Sequence, residues 1–142
     1  MPWNGGYVRK ISDSVFYLNR GDVFNINGKK IFVMGGATSI DKDYRIEGRS
    51  WWAEEMPNYK EQEYALNNLD KNNWEVDYVI THCAPTNVLY QINPSFQADN
   101  LTNFLYEIYK KLDYKEWYFG HYHIDKDFDK HHCLYQNVVK IL

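Results

Sequence analysis

The sequence lacks several features that would set it apart from ordinary globular proteins. It has only two cysteines in 142 residues, Cys83 and Cys133, and no Cys-x-x-Cys pair, which excludes a disulfide-rich scaffold and favours a reducing compartment. Its longest uncharged apolar run, Ile31 to Ala37, is far shorter than the ~18 residues that a membrane-spanning helix needs. The first residues have neither the basic nor the apolar stretch of a signal peptide. We therefore expect a cytoplasmic protein without a membrane partner.

Positive charge is also scarce, whereas aromatic residues are abundant. The formal net charge is −3 and the pI about 5.9, so the basic surface of a general nucleic-acid binder is missing. Hydrophobic residues make up 44% and charged residues 25% of the chain, proportions typical of a globular protein. Aromatic residues reach 18%, and each can bury a large area. With this length and no repeat or linker, the sequence predicts a single unit over residues 1–142.

The first quarter of the sequence predicts short strands and hairpins. Asn27-Gly28 separates two apolar runs, and this dipeptide is the strongest short signal for a hairpin. The four β-branched or aromatic runs are Tyr7–Ile11, Val15–Leu18, Val23–Ile26 and Lys30–Met34. Gly35-Gly36 then opens a long loop, which carries Arg45, Arg49, Trp51 and Trp52.

The remainder of the sequence alternates between helix and strand patterns. Asn58, with Glu61 three residues later, predicts the capped start of a helix. Strand patterns at Val76–Thr81 and Trp117–Phe119 flank a run of helical spacing from Leu101 to Leu112. A closing hairpin is expected from two further runs, Leu134–Tyr135 and Val138–Ile141.

The strand–helix–strand unit brings three histidines to one place. Such a crossover almost always joins parallel strands, whose carboxyl ends meet at the edge where open α/β sheets bind ligands. His82 directly follows the first strand, and His121 and His123 follow the second. Imidazole is the commonest protein ligand for borderline metals. The placement predicts a metal site at this edge, and the alternative is that each histidine is an ordinary loop residue.

Two motifs resemble those of calcineurin-like metallophosphoesterases. The stretch from Asp77 to His82, followed by Gly120-His121-Tyr122-His123, is similar to the C-terminal motif pair of that family. The stretches Gly35-Gly36-Ala37, Ser39-Ile40-Asp41 and Ser50 to Glu55 resemble its bacterial branch. The resemblance covers the chain from about Tyr17 to the C-terminus.

The resemblance implies a fold, a reaction and a set of ligands. The family fold is a four-layer α/β sandwich that holds two divalent metal ions (Mn, Fe or Zn) and hydrolyses phosphate esters. By this resemblance His82 and His121 would ligate one ion and His123 the other, and no catalytic residue of the family has a match in this chain. The expected fold is therefore α/β: the C-terminal portion of such a sandwich, with an N-terminal run of β-hairpins. Nothing in the sequence indicates which phosphate ester would be the substrate.

The other ligand motifs of the family are missing from the sequence. They are Asp-x-His, Gly-Asp-x-x-Asp and Gly-Asn-His-Asp/Glu, which supply the remaining ligands and a catalytic histidine. Gly21 to Asn25 begins like Gly-Asp-x-x-Asp but has Asn in the last position. Asp129-Lys130-His131 matches Asp-x-His, but it follows the motif Gly120 to His123, whereas in the family Asp-x-His comes first. We therefore expect the C-terminal part of a metallophosphoesterase, metal-poor and inactive by itself. Loss of the first half would uncover sheet surface, so a homo-oligomer is also expected.

Weaker candidate sites lead to alternative functions. Asp125, Asp127 and Asp129 alternate as in an EF-hand, but Lys130 stands where the loop needs Gly and Gln136 where it needs Glu, so a solvated acidic loop is expected. A small mononuclear zinc module could instead use His131, His132 and Cys133 with His121 and His123. The main alternative to a phosphoesterase is a non-catalytic fragment that folds, self-associates and keeps the histidines as relics.

Three further features have ordinary structural explanations. Cys83 is expected to be a small buried side chain rather than a nucleophile. Trp51-Trp52 could stack on a nucleobase or an aryl group, but such a pair more often fills a core beneath a long loop. Arg45 and Arg49 could bind a phosphate with paired hydrogen bonds, and they are equally expected on a polar surface.

Overall fold

A six-stranded mixed sheet forms the centre of the computed structural model, which describes residues 1–38 and 56–142. Its strands are β4 (Val23–Ile26), β5 (Lys29–Met34), β6 (Tyr78–Thr81), β7 (Glu116–Phe119), β8 (Lys126–Phe128) and β9 (His131–Cys133). Their order is β4-β5-β6-β7-β9-β8, with parallel pairing from β5 through β6 and β7 to β9. Antiparallel hairpins close both edges, β4 against β5 and β8 against β9.

Three helices pack on one face of this sheet. They are α1 (Tyr59–Lys71), α2 (Thr86–Ile92) and α3 (Asn100–Lys111). Their buried residues join one hydrophobic core with the sheet residues that face them, such as Phe32, Val79 and Trp117. The predicted start of α1 is confirmed, because Asn58 accepts from the Glu61 N–H at 2.8 Å while the Glu61 carboxylate accepts from the Asn58 N–H.

A small sheet covers part of the opposite face. Its strands are β1 (Pro2–Trp3), β2 (Gly6–Lys10) and β3 (Phe16–Leu18), paired antiparallel. Val8 of this sheet packs with Phe24, Ile31 and Val33, which point away from the helices. The small sheet therefore lies over β4 and β5, at one end of the large sheet.

Asp22 occupies the position of the first aspartate of Gly-Asp-x-x-Asp in the partial match from Gly21 to Asn25. In the structure its side chain joins three parts of the fold. Its carboxylate is buried and accepts from the backbone N–H of Tyr7 at 2.8 Å and from the side-chain amide of Asn68 at 3.2 Å. It also accepts from the Tyr64 hydroxyl and from Asn19. Because these partners satisfy both carboxylate oxygens, Asp22 is a structural residue that ties the first hairpins to α1.

Most of the predicted elements are confirmed, with boundaries shifted by one or two residues. The predicted closing hairpin is wrong, because Leu134–Tyr135 and Val138–Ile141 form no strand. The last strand is β9 instead, and the backbone N–H groups of Tyr135, Gln136 and Asn137 bond to the side chain of Asp125 rather than to a neighbouring strand. The segment from Asp125 to Asp129 is solvated as predicted, since all three aspartates are exposed, but it is not a loop throughout, because its middle forms β8.

The described part of the chain is a mixed α/β fold with two sheets and three helices. Its longest helix has 13 residues, and no helix among the described residues is both long and apolar enough to cross a membrane. The residues predicted to lie in the long loop, Arg45, Arg49, Trp51 and Trp52, fall outside the described ranges.

Candidate functional site

The carboxyl ends of β6 and β7 meet at one edge of the large sheet. The two strands are parallel, as the sequence predicts, with Val79 opposite Trp117 and Ile80 opposite Tyr118. The Gly120 N–H donates to the His82 carbonyl at 3.0 Å, which extends this pairing just beyond both strands. His82 and His121 therefore begin two adjacent loops at the same edge.

The imidazoles of His82 and His121 are in direct contact. Nε2 of His82 lies 3.2 Å from Nδ1 of His121, and the two rings meet edge to face with centroids 4.9 Å apart. Two nitrogens that each lie about 2.1 Å from one metal ion are separated by roughly 3.0–3.4 Å. The 3.2 Å separation falls in this range, and as the side chains stand it is a hydrogen bond in which one imidazole donates to the other.

The backbone of the histidine loop is unusual at both ligand candidates. His121 has φ 75° and His123 has φ 56°, in the left-handed region that most side chains avoid. Such conformations cost on the order of 1–3 kcal/mol each and concentrate at functional sites, where the surrounding structure holds them in place. The tight turn is closed by the Tyr122 N–H, which donates to the Gly120 carbonyl at 2.9 Å.

Tyr122 joins the two loops of the site. Its hydroxyl accepts from the Ala84 N–H at 3.1 Å, in the loop that follows β6. Its ring stacks on Phe96 and meets Phe119 and His121 edge to face. Burial raises the pKa of Tyr122, so the phenol remains protonated. Tyr122 therefore fixes the loop of His82 relative to the loop of His121.

His123 lies near this pair on a more exposed part of the edge. Two residues of chain keep its Cα within about 7 Å of the Cα of His121. Its ring stacks on Tyr135, with centroids 5.0 Å apart and an interplanar angle of 18°. The structure thus places all three predicted histidines at the same edge of the sheet.

The electrostatics of the edge favour neutral imidazole at His121. Burial lowers the pKa of His121, and the neighbouring His82 and His123 lower it further. The backbone of Thr38 and the carboxylate of Asp99 oppose this shift without reversing it. A neutral imidazole is the form that binds a metal ion, so the edge is suited to a cation.

The second histidine group is a set of separate structural contacts. Successive residues of a strand point to opposite faces, so His131 enters the helix-side core while His132 lies on the other face. His131 Nε2 lies 2.6 Å from the Tyr114 hydroxyl, and His132 bonds to Asp127 and Glu116. The placement does not favour a zinc module built from His131, His132 and Cys133.

Cys83 is a buried thiol at the end of β6, as predicted. It is 2% exposed, and burial raises its pKa to about 12. A thiol that stays protonated is a poor nucleophile, so Cys83 serves packing rather than chemistry.

Among residues 1–38 and 56–142, no three or more His, Cys, Asp or Glu side chains are arranged to hold one ion. The sequence reasoning missed Asp99, Tyr122 and Tyr135, which surround the histidines. Asp99 had a detectable signal, because Asp99 and Thr102 form the capping box of α3.

Comparison with known proteins gives no relative: no family model and no curated protein matches the sequence.

Proposed function

We propose that this chain is the histidine-bearing, C-terminal part of a metal-dependent phosphoesterase similar to the calcineurin-like enzymes. One observation carries the proposal: His82 Nε2 and His121 Nδ1 lie 3.2 Å apart where two parallel strands end, and His123 follows two residues later. This placement supports the motif resemblance, by which His82 and His121 would ligate one ion and His123 the other.

The proposed fold of the complete enzyme is a four-layer α/β sandwich. Support comes from the one-sided packing of the large sheet, in which the three helices share one face. On the opposite face the small sheet packs against β4 and β5, while Ile80 in β6 is 36% exposed and Tyr118 in β7 is half-buried. A second sheet packing on β6 and β7 would bury these side chains.

The proposed reaction is hydrolysis of a phosphate ester, with no catalytic residue assigned in this chain. Two divalent ions (Mn, Fe or Zn) would supply the chemistry, since a metal pair neutralises phosphate charge and activates water. The role of this chain's residues is to hold: His82 and His121 present adjacent nitrogens, and Tyr122 keeps their loops in register. Carboxylates that bridge and balance two ions would come from another part of the enzyme.

Metal titration tests the assignment of His82 and His121. Calorimetry with Zn²⁺ is expected to show binding to the wild-type chain that His82→Ala and His121→Ala each weaken by at least about tenfold. His132→Gln is the matched control, because His132 lies within β9 and bonds to Asp127 and Glu116, away from the edge that carries His82 and His121. Equal binding by all four proteins, or an equal loss in the control, would contradict the proposal.

Catalysis is expected only when the missing ligands are present. The chain alone with Mn²⁺ should hydrolyse p-nitrophenyl phosphate little or not at all, because a metal pair held by three neutral imidazoles lacks its bridging carboxylates. Robust hydrolysis that His123→Ala abolishes would show that the site in this chain is sufficient, and the ligand assignment would then be incomplete.

A non-catalytic, self-associating protein is the second candidate function. The exposed side chain of Ile80 beside Tyr78 and Tyr118 favours it, because an apolar sheet face is seldom left bare in a monomer. The two candidates differ in the metal titration: a relic site would not distinguish His82→Ala from His132→Gln.

A further inference from the structure

We infer that Asp125 is a positioning residue for His123 and acts on it through Tyr135. The inference rests on the proposed function in one respect: it takes His123 as a metal ligand. Asp125 fixes the course of the segment that carries Tyr135, and the Tyr135 ring stacks on His123.

The carboxylate of Asp125 gathers three successive backbone N–H groups. Oδ1 accepts from Tyr135 at 2.8 Å, from Asn137 at 3.1 Å and from Gln136 at 3.2 Å, and Oδ2 lies 3.1 Å from the same Gln136 nitrogen. Hydrogen bonds from backbone N–H groups to a carboxylate are charge-assisted and stronger than neutral ones.

These bonds begin where the sheet stops directing the chain. The Leu134 N–H still donates to the Phe119 carbonyl at 2.9 Å, as a continuation of the β7–β9 pairing. The next three N–H groups all turn to Asp125 instead of to a strand. Asp125 therefore decides the direction in which the chain leaves the sheet.

That direction places the Tyr135 ring flat against His123. The rings are 18° from parallel, with centroids 5.0 Å apart. Both side chains are exposed, so the described core gives His123 little other support. Without the stack, the imidazole would sample several rotamers, and ordering it on metal binding would cost side-chain entropy. The Tyr135 ring removes part of that cost in advance, which is preorganisation.

The neighbouring acidic residue serves as an internal control. Asp127 lies two residues further on, and its carboxylate is bonded to His132 on the sheet face. Replacing Asp127 removes a carboxylate of the same hairpin without releasing Tyr135. An effect on His123 that is specific to Asp125 therefore cannot come from charge alone.

NMR of the His123 ring protons tests the inference without any metal. The tyrosine ring should shift the wild-type His123 signal upfield. Tyr135→Ala and Asp125→Ala should both move this signal towards the value of an unstacked histidine, whereas Tyr135→Phe and Asp127→Ala should leave it in place. An Asp125→Ala signal that coincides with the wild type overturns the inference, as does a Tyr135→Ala signal that does not move.

Zn²⁺ titration of the same variants links the contact to the site. We expect Asp125→Ala and Tyr135→Ala to bind about tenfold more weakly, with affinity retained in Tyr135→Phe. Unchanged affinity in Asp125→Ala overturns the positioning role. A wild-type chain that binds no Zn²⁺ overturns the proposed function instead, and the NMR signals then still decide whether Asp125 orders His123.

Discussion

Nε2 of His132 lies 2.6 Å from Oε2 of Glu116, across the ladder that joins β9 to β7. Its other nitrogen, Nδ1, lies 2.6 Å from Oδ1 of Asp127, and the ring stacks on Tyr118. A ring that donates to two carboxylates carries both protons and a positive charge. Burial would lower the pKa of His132, but the bonds to Asp127 and Glu116 outweigh it and raise that pKa above its ordinary value of 6.5.

The His132 contact should make stability depend on pH above neutrality. Its contribution is fully present below the unfolded-state pKa of about 6.5 and is lost as pH rises through the higher folded-state pKa. We expect His132→Gln to lose about 1 kcal/mol at pH 6, a modest value because the partner carboxylates are 38% and 78% exposed. Urea unfolding of both proteins should show this difference shrinking above pH 7.

The pKa values of His121 and His131 are shifted in the opposite direction to that of His132, so their effect on stability appears in a different pH range. Burial is the largest cause that lowers the pKa of each, so their unfolded forms take up protons first as pH falls below about 6.5. Their contribution is therefore lost on the acidic side, in wild type and in His132→Gln alike. A difference between the two proteins that grows with rising pH would contradict the charged His132 contact.

Tyr114→Phe should destabilise the fold although it removes a single oxygen. The Tyr114 hydroxyl donates to Nε2 of buried His131, whose Nδ1–H donates to the Phe128 carbonyl. Loss of the hydroxyl leaves a buried acceptor unpaired, at a cost of about 1–3 kcal/mol. Tyr59→Phe is the control, because Tyr59 is 79% exposed and should change the free energy of unfolding by less than about 0.5 kcal/mol. Equal effects in the two variants would show that the bond contributes nothing.

Gly6→Ala and Gly35→Ala should differ sharply. A Cβ at Gly6 would lie 2.6 Å from the buried Phe24 ring and 2.9 Å from Cβ of Asp22, whereas a Cβ at Gly35 meets no atom of residues 1–38 and 56–142 within 4 Å. Neither glycine has a positive φ, so backbone strain does not separate them. We expect Gly6→Ala to lower the free energy of unfolding by about 1–3 kcal/mol and Gly35→Ala to leave it nearly unchanged, as measured by thermal or urea denaturation.

The chain should associate with itself through the open face of β6 and β7. Light scattering at micromolar concentration is expected to show dimers or larger species, because Ile80 and its tyrosine neighbours present apolar surface there. Ile80→Lys should shift the population towards monomer. Val138→Lys is the control, because Val138 is 96% exposed but lies beyond the last strand, outside the face of β6 and β7. A wild-type chain that stays monomeric would show that this face needs no cover.

The sequence was most informative where local pattern and burial agree. Helical spacing located α3, and the rule that crossovers join parallel strands placed His82 and His121 at one edge before any distance was known. It failed for β9, whose residues His131 to Cys133 do not follow a strand pattern. They form a strand because Trp117 and Tyr118 of β7 pair with them. The apolar runs after Cys133 form no strand: the N–H groups of Tyr135 and of Gln136 and Asn137 bond to the carboxylate of Asp125 and not to a neighbouring strand.

The sequence predicted which histidines lie at the site, but it did not predict the residues that hold these histidines in place. The contact between Tyr122 and Ala84 and the stack of Tyr135 on His123 join residues that no spacing rule relates. The left-handed backbone of His121 and His123 is likewise set by the surrounding structure and not by the residues' own preferences.

The strand order at the far edge has a consequence for synthesis. β8 pairs with β9 and with no other strand of the described chain, although the ribosome makes β8 first. Lys126–Phe128 therefore has no strand partner until His131–Cys133 has been made. Tyr135, which supports His123, emerges later still. A chain that stops before His131 would therefore leave β8 and the outer edge of β7 unpaired, and it would lack the Tyr135 ring on which His123 stacks.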